Sequence, residues 1–504
     1  MTKFEYAIKH IEYCTRSTEF YNNVYLVGGC VRDELLNIHI KDIDIMVDMP
    51  NGGIKLANYL LNFHPNSFYD LVIYERFGTA KITFMKDTES ECEIEFVAPR
   101  TELYDEKSRK PIKVDFCDLK TDALRRDFTV NALYKNIHSN KIIDPTERGL
   151  QDLHDMQLNT PTSADIDFFD DPLRMLRAIR FSVQKKFKLS DEIIKACMNN
   201  AWRLENISKE RIHDEFIKII MTDDAVIGIK RLHDYNLLKY MTSSDKRFID
   251  DMFGFDQRNE HHHETLDQHV LSVLNGVIKN NKNASLILRL SALLHDVGKT
   301  QCYELKEDGI HYRYHGHEIV SGQLAYDILK DLKFSNEICE TVKFICERHM
   351  LLKQFNDDNG HLKITKKAAR KIVRKCGEHI DDILQLMDAD NKAHEVESAN
   401  RLWYQIDEFR ALIPTLYVNY STDKNNSLKC PLNGHDIMKE FNVVPGPKVK
   451  ELLELATDIF DEDPSYSKDD IIRIMKNKND NLISTFTSNE DYNNKFIKQI
   501  TFKK

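Results

Sequence analysis

The chain has 504 residues, 41% of them hydrophobic and 30% charged, with a formal net charge of −10. That length exceeds one core and suggests roughly three or four domains, and the composition excludes a disordered or fibrous chain. The acidic balance does not announce a nucleic-acid binder, although whole-chain charge says little where basic residues cluster locally. Lys185-Lys186-Phe187-Lys188 and Lys366-Lys367-Ala368-Ala369-Arg370-Lys371 are two such clusters, and each is more often an ordinary solvated helix face. Ten scattered cysteines without a CxxC pair suit reduced thiols in the cytoplasm. No apolar N-terminal stretch follows basic residues and no run reaches membrane-spanning length, so neither a signal peptide nor a membrane partner is expected.

Up to about residue 140, short runs rich in Val, Ile, Phe and Tyr alternate with helical stretches. Val24–Val27, Asp42–Val47, Lys81–Phe84 and Cys92–Val97 read as strands. Gly28-Gly29 follows the first strand and opens a helix-like run. Glycines let the backbone approach a polyphosphate closely, and the amides of a helix start can hold its oxygens. Asp42 and Asp44, in Lys41-Asp42-Ile43-Asp44-Ile45, lie two apart and so share one strand face. Two hard oxygen ligands beside substrate phosphates suit magnesium. Alone, an Asp-Ile-Asp is usually the polar face of a half-buried strand and a Gly-Gly a turn; in this order with a short spacer, they read as nucleotidyl transfer.

From Val27-Gly28-Gly29-Cys30-Val31-Arg32-Asp33 and the carboxylate pair onward, the chain resembles the tRNA nucleotidyltransferases (CCA-adding enzymes) of the bacterial-eukaryotic class and their poly(A) polymerase relatives. The likeness continues in order through Arg76-Phe77-Gly78-Thr79-Ala80-Lys81, Glu93-Ile94-Glu95 with Arg100, and Asp122-Ala123-Leu124-Arg125-Arg126-Asp127-Phe128-Thr129-Val130-Asn131-Ala132. Asp144-Pro145, Gly149, Asp152-Leu153, the run from Asp171 to Phe181, and Ser208-Lys209-Glu210-Arg211-Ile212 follow. It covers about the first 220 residues continuously, with weaker matches beyond. The resemblance implies Glu95 as a third metal carboxylate, with Glu93 on the same face as fallback. It places Gly28, Gly29 and Arg32 on the triphosphate, the alternative for Arg32 and Asp33 being a local ion pair. Arg126, Asp127 and Asn131 fall where the family contacts the incoming sugar and triphosphate.

From Asp171 on, apolar residues recur at three- and four-residue spacing and the chain reads almost entirely helical. Asp171, Arg174, Arg177 and Arg180 keep a three-residue step, near one helical face. A carboxylate can accept from an exocyclic amine and a guanidinium can donate to ring acceptors. By resemblance, Asp171 and Arg174 form a protein template for CTP and ATP, both of which carry an amine beside a ring acceptor. Pro172 supplies a rival account, since it suits the first helical position and would make Asp171 an N-cap, unless Asp170 takes that role. Arg177 and Arg180 fit triphosphate binding, or solvent ion pairs.

Downstream, His269, His295-Asp296 before Val297-Gly298-Lys299, His317, His349 and Asp390 match the order of the HD phosphohydrolase superfamily, with Asp388 as the alternative last ligand. Imidazoles with carboxylates suit a mono- or dinuclear transition-metal site that activates water. Single histidines at helix ends are commonly structural, and a domain of this kind can keep its fold with a dead site. Residues 241–263, ending in His261-His262-His263, read as a connection into this module, and Asn419–Asn426 as a polar loop. Leu432 to Met438 with Pro445-Gly446-Pro447 resembles the C-terminal segment of bacterial members, which implies contact with the tRNA elbow.

The fold expected is α+β: a polymerase-β-like nucleotidyltransferase head with a mixed sheet and helices (1–145), then all-α neck (146–250), HD (251–400) and tail (401–504) domains. The function implied is untemplated addition of C, C and A to the 3′ end of tRNA from CTP and ATP, with Mg2+ in the head and a divalent transition metal in the HD domain. One rival is a CC-, A- or poly(A)-adding relative; the run from Arg100-Thr101-Glu102-Leu103-Tyr104 to Arg109-Lys110-Pro111 resembles the flexible loop of full CCA enzymes and counts against the CC-adding form. Another is an HD phosphohydrolase with an RNA-binding head, against which the Asp42 and Asp44 pair argues.

Overall fold

The structure, a computed structural model, describes residues 2–40, 42–105, 108–246, 248–258, 264–357, 361–393, 400–417 and 430–487, with the side chains of 102–114, 248, 400–403 and 478–487 outside that description. Lys41, the three histidines 261–263 and the loop 419–426 therefore lie outside the described residues. Two compact units divide the chain: one runs up to Phe253 and takes in Asp327–Cys339, the other holds Gly254–Tyr326 and the chain from Glu340 on.

In the first unit, strands β1 (Val24–Val27), β2 (Ile43–Val47), β3 (Phe68–Tyr74), β4 (Thr79–Phe84) and β5 (Cys92–Val97) form one sheet with two later strands. The segments Arg100–Asp105 (β6) and Ser108–Phe116 (β7) pair only with each other, and β8 (Tyr134–Asn136) and β9 (Ile142–Ile143) complete the order β3-β4-β5-β2-β1-β8-β9. Among the described strands of this sheet β2 and β5 alone run parallel, and their register sets Asp44 opposite Glu95. Alternation puts Ile43 and Ile45 on the face covered by the helix Gly52–Phe63, whose Leu56, Ala57 and Leu60 are fully buried. Asp44 shares the other face with Met46, which packs with Tyr25, Val27, Ala123, Ala132 and Tyr134. Sequence reading placed the strands β1 and β5 at their observed ends, started β2 one residue early and β4 two residues late, and missed β3, β8 and β9 of this sheet. The exposed Val72, Ile73 and Tyr74 give β3 no alternation to read.

The rest of that unit is helical apart from the parallel two-residue pairing of Gln157–Leu158 with Lys188–Leu189. The helix Leu173–Gln184 buries Met175, Leu176, Ala178 and Ile179, and packs on Lys209–Ile220 and Ala225–Asp234. In the second unit, Leu266–Asn280, Leu286–Leu294 and Ile380–Ala393 pack together around buried Val270, Leu274, Leu290 and Leu386. The basic helix Lys366–Cys376 packs on Pro447–Glu462. There Lys371 pairs with Asp458 at 3.1 Å, Lys367 with Glu462 and Arg374 with Asp461. Buried Arg370 donates to the carbonyls of Leu416, Asp461 and Glu462. That basic run is a helix-packing device within the unit.

Candidate transfer site and a histidine–aspartate centre

Gly28 stands between β1 and the helix Gly29–Leu35 with φ +67°, a conformation that favours glycine. A Cβ there would meet the Arg126 guanidinium at 3.4 Å and Asp44 at 3.9 Å, so the glycine opens the space where both side chains converge. Asp44, facing Glu95 across the parallel pair, has its carboxyl pushed up to about 6, first by burial and then by Glu95, with Asp42 adding and Arg126 opposing. Three crowded carboxylates of this kind suit a hard divalent cation. Glu93 is drawn away by Lys81 at 2.6 Å, which leaves Glu95 as the strand's contribution to the cluster.

One residue that sequence reading passed over fixes this arrangement. The buried Cys30 thiol donates to the Asp42 carbonyl at 2.8 Å and accepts from the Asp44 N–H at 3.3 Å. It ties the glycine-led helix to the backbone between the two carboxylates. Burial pushes that thiol up to about 12, so it acts as a neutral hydrogen-bonding group.

Behind the cradle runs a continuous polar network. Arg32, 6% exposed, donates to Asn131 Oδ1 at 2.6 Å and to Asp33 at 2.8 Å. Asp33 also receives Lys185 at 3.0 Å, so the local ion pair named as the alternative for Arg32 and Asp33 is present and extended. Two cations flank a carboxylate whose residue is only 9% exposed, and a buried charge of that kind needs them. Asn131 donates to Asp127 Oδ1 at 3.0 Å, and Arg177 Nε to Asp127 Oδ2 at 2.9 Å. Burial would raise the Asp127 carboxyl, yet Arg177 and Asn131 hold it well below the usual carboxylate range. Arg126 bonds Asp122 at 3.0 Å and Tyr134 Oη at 3.2 Å, and Tyr134 donates to Asp122 at 2.8 Å.

Along Leu173–Gln184, Arg180 pairs with Glu215 at 2.7 Å, and Arg32, Arg177 and Arg180 all lie over the Phe181 ring, 4.9, 5.8 and 4.4 Å from its centroid. Arg174 is held by Asp167 at 3.4 Å and by the Arg125 carbonyl. Asp171 Oδ1 accepts from the Leu173 N–H at 3.3 Å, the capping contact, while Oδ2 receives Arg211 at 3.3 Å. Asp171 itself, not Asp170, makes that cap.

The second unit gathers the six downstream residues in one buried cluster. His269 Nε2 lies 3.2 Å from Asp390 and 3.5 Å from Asp296, and His295 Nε2 lies 3.4 Å from Asp296. On the other oxygen of Asp296 stand His317 at 3.1 Å and His349 at 3.5 Å. Potential ligand atoms of His269, His295 and Asp390, and of His295, Asp296 and His349, lie within 4.8 Å of one another. The carbonyls of Ala292, Tyr314 and Cys346 each accept from Nδ1 of His295, His317 and His349, which turns the Nε2 atoms inward. Among the described residues, buried His295 Nε2 makes no hydrogen bond, and burial pushes its imidazole down to about 3, the neutral form a metal takes. Asp388 is engaged by Lys392 at 2.8 Å, away from the group that Asp390 joins. Gly298 lets the loop close on the helix His317–Asp331, since a Cβ would meet Ser321 N at 2.5 Å. Two lysines that sequence reading left without a role hold the aspartates: Lys299 Nζ is 2.7 Å from Asp296 and Lys353 Nζ 3.0 Å from Asp390.

The sheet, the glycine-led helix and the facing carboxylates define a nucleotidyltransferase of the polymerase-β type joined to an HD module. Residues 24–159 match the family described as Poly A polymerase head domain, 186–244 the probable RNA and SrmB-binding site of polymerase A, and 266–355 the HD domain. The chain is 30% identical to the Multifunctional CCA protein of Actinobacillus pleuropneumoniae serotype 5b, over 65% of this chain and 75% of that one. It is 35% identical to tRNA nucleotidyltransferase cca2 of Schizosaccharomyces pombe over 43% of its own length, and spans 47% of that relative. The CCA-adding enzyme of Bacillus stearothermophilus in complex with CTP shares the fold, with TM-score 0.64 and 20% identity over 96% of this chain and all of that one. The chain belongs to the tRNA nucleotidyltransferase family of CCA-adding enzymes.

Proposed function

We infer that the protein adds C, C and A to the 3′ end of tRNA from CTP and ATP without a nucleic-acid template. The observation that carries this is the convergence of Asp44, Glu95 and Arg126 at the cradle opened by Gly28. Asp42, Asp44 and Glu95 would hold Mg2+, which activates the attacking hydroxyl and neutralises the leaving pyrophosphate when bound. The amides of Gly28 and Gly29, at a helix start, bind the phosphates, and Arg126 and Arg32 supply the positive charge around them. Asp127, held by Arg177, and Asn131, held by Arg32, orient the sugar. Asp171 accepts from the exocyclic amine of cytosine or adenine while Arg174, steadied by Asp167, donates to the ring; UTP and GTP place a carbonyl against that carboxylate.

The paired segments Arg100–Asp105 and Ser108–Phe116 stand where the flexible loop of full CCA enzymes was expected and count against the CC-adding form. The division into head 1–145, neck 146–250, HD 251–400 and tail 401–504 belongs to the same reading, with the tail on the tRNA elbow. Free thiols at all ten cysteines support a reducing, cytoplasmic setting; among the described residues no helix is long and apolar enough to cross a membrane. The test is purified protein with tRNA lacking its 3′ end and each nucleotide alone or mixed. Incorporation of C, C and then A supports the reading, and addition of A alone or of CC alone replaces it by a partial form.

The buried His295 Nε2 favours a second reading of the other unit. His269, His295, Asp296, His317, His349 and Asp390 would hold a divalent transition metal, whose bound water would be acidified for attack on a phosphate ester. A damaged tRNA end carrying a phosphate has no hydroxyl to extend, so such an activity would serve the head.

A further inference from the structure

Beside the histidine–aspartate centre, Glu304–Leu305 and Tyr312–Arg313 pair as a small antiparallel hairpin whose rings form a row. Ring centroids are 5.6 Å apart for Phe255 and Tyr303, 5.0 Å for Tyr303 and Tyr312, and 6.4 Å for Tyr312 and Tyr314. The Arg258 guanidinium lies 5.3 Å from the centroid of Tyr312, and Lys299 Nζ 5.5 Å from that of Tyr314.

The inner end of the row is wired to the cluster. Lys299 donates to Gln257 Oε1 at 3.0 Å while facing Asp296, Tyr314 Oη donates to the Gln257 carbonyl, and the Tyr314 carbonyl accepts from His317 Nδ1 at 2.8 Å. Solvent reaches the row at Tyr303, 49% exposed, beside Leu305 at 56% and Ile310 at 62%. None of these four rings belongs to the buried core of this unit, which is made by side chains such as Val270, Leu274, Leu290, Leu386 and Phe409. A row of rings leading from solvent to a metal-ligand cluster is arranged for a flat ligand that enters along it.

Charge narrows the choice of ligand. Asp256, 3.5 Å from Arg258, and Glu304, Glu307 and Asp308 on the hairpin offset Lys306 and Arg313. With no positive excess, the hairpin cannot hold a duplex by its phosphates. Stacking needs no such excess, because every base offers a π-face to tyrosine or arginine. We propose that Tyr303 and Tyr312, with Arg258, form a stacking platform for one or two unpaired nucleotides at an RNA end. It presents the terminal phosphate ester to the histidine–aspartate centre, a step that rests on the hydrolytic reading of that centre.

The experiment uses the full chain and a single-stranded pentaribonucleotide carrying 5-iodouridine at its 3′ end, irradiated and mapped by peptide mass spectrometry. Crosslinks are expected on the peptide holding Tyr303 or Tyr312. Their yield falls by about tenfold or more in Tyr303→Ala/Tyr312→Ala and is kept in the double Phe variant, while metal content and CCA addition stay as in the wild type. Crosslinks confined to other peptides, or a yield that the alanine pair leaves unchanged, overturn the platform. Hydrolysis of a cyclic 2′,3′-phosphate without hairpin crosslinks keeps the hydrolytic reading and removes the platform. Hairpin crosslinks in a protein without metal or hydrolysis keep the platform and remove that reading.

Discussion

Asp44 sits half-buried beside Glu95 and Asp42, and its carboxyl, ordinarily near 3.8, is raised to about 6. Folding therefore favours its protonated form. The contribution is fully present below about pH 4 and is lost as pH rises through 6, so the ionised carboxyl destabilises the metal-free fold at neutral pH. Asp44→Asn is expected to raise the melting temperature in chelator at pH 7.5, with the gain vanishing at pH 4; an unchanged or lower melting temperature at pH 7.5 refutes the crowding. Asp42→Ala and Asp44→Ala should each abolish nucleotide transfer while leaving tRNA affinity largely intact, as measured by incorporation and filter binding. Near-normal incorporation in either variant removes the metal assignment. The pair was read in sequence from strand alternation, which holds for Asp44, whereas Asp42 lies in a bend one residue before β2. Cys30 was not, since its role lies in meeting the backbone of a strand twelve residues on, which no local pattern encodes. Asp33 was misjudged because its second partner, Lys185, comes from 152 residues away.

At the scale of elements, the helix Leu173–Gln184 carries two roles through one residue. Asp171 caps the helix by accepting from Leu173 and is the residue proposed to read the base amine. Asparagine caps about as well as aspartate, so Asp171→Asn separates the roles. It should keep the melting temperature yet admit UTP or GTP, whereas Asp171→Ala should also lose about 1 kcal/mol of stability. Unchanged fidelity in both variants, with stability lost only in the alanine form, would leave Asp171 a cap and nothing more. The three-residue step of arginines was visible from sequence, but not that each guanidinium is held: Arg174 by Asp167, Arg177 by Asp127, Arg180 by Glu215. Likewise the run Lys366 to Lys371 was read as a solvated face, and its meaning depends on Asp458, Asp461 and Glu462 far along the chain. Arg370→Ala is expected to lower stability by about 2–4 kcal/mol in urea denaturation, because it strands three carbonyls that accept from this side chain. A loss under about 0.5 kcal/mol, the usual surface range, would show the contacts to be incidental.

The whole molecule joins two sites with different donor chemistry, one in each unit. The head offers carboxylate oxygens, which suit a hard cation; the other offers imidazole nitrogens with two aspartates, which suit a softer one. The order of these candidate ligands was legible in sequence, and they converge from the helices Leu266–Asn280, His317–Asp331 and Ile380–Ala393 and from the chain just past Leu286–Leu294 and Asn336–Cys346. Because the sites differ in donors, removing one should leave the other working. His295 is the strongest lever, since it belongs to both groups of candidate ligands. His295→Ala is expected to empty the cluster of transition metal and to remove hydrolysis of a cyclic 2′,3′-phosphate, while CCA addition in Mg2+ continues at the wild-type rate. Metal analysis of purified wild type and variant, paired with both assays, decides this. Equal metal content in the two proteins would sink the assignment of the centre, and metal bound without hydrolysis would make it structural. Loss of CCA addition along with the metal would show that the two chemistries are coupled, contrary to their separate ligand sets.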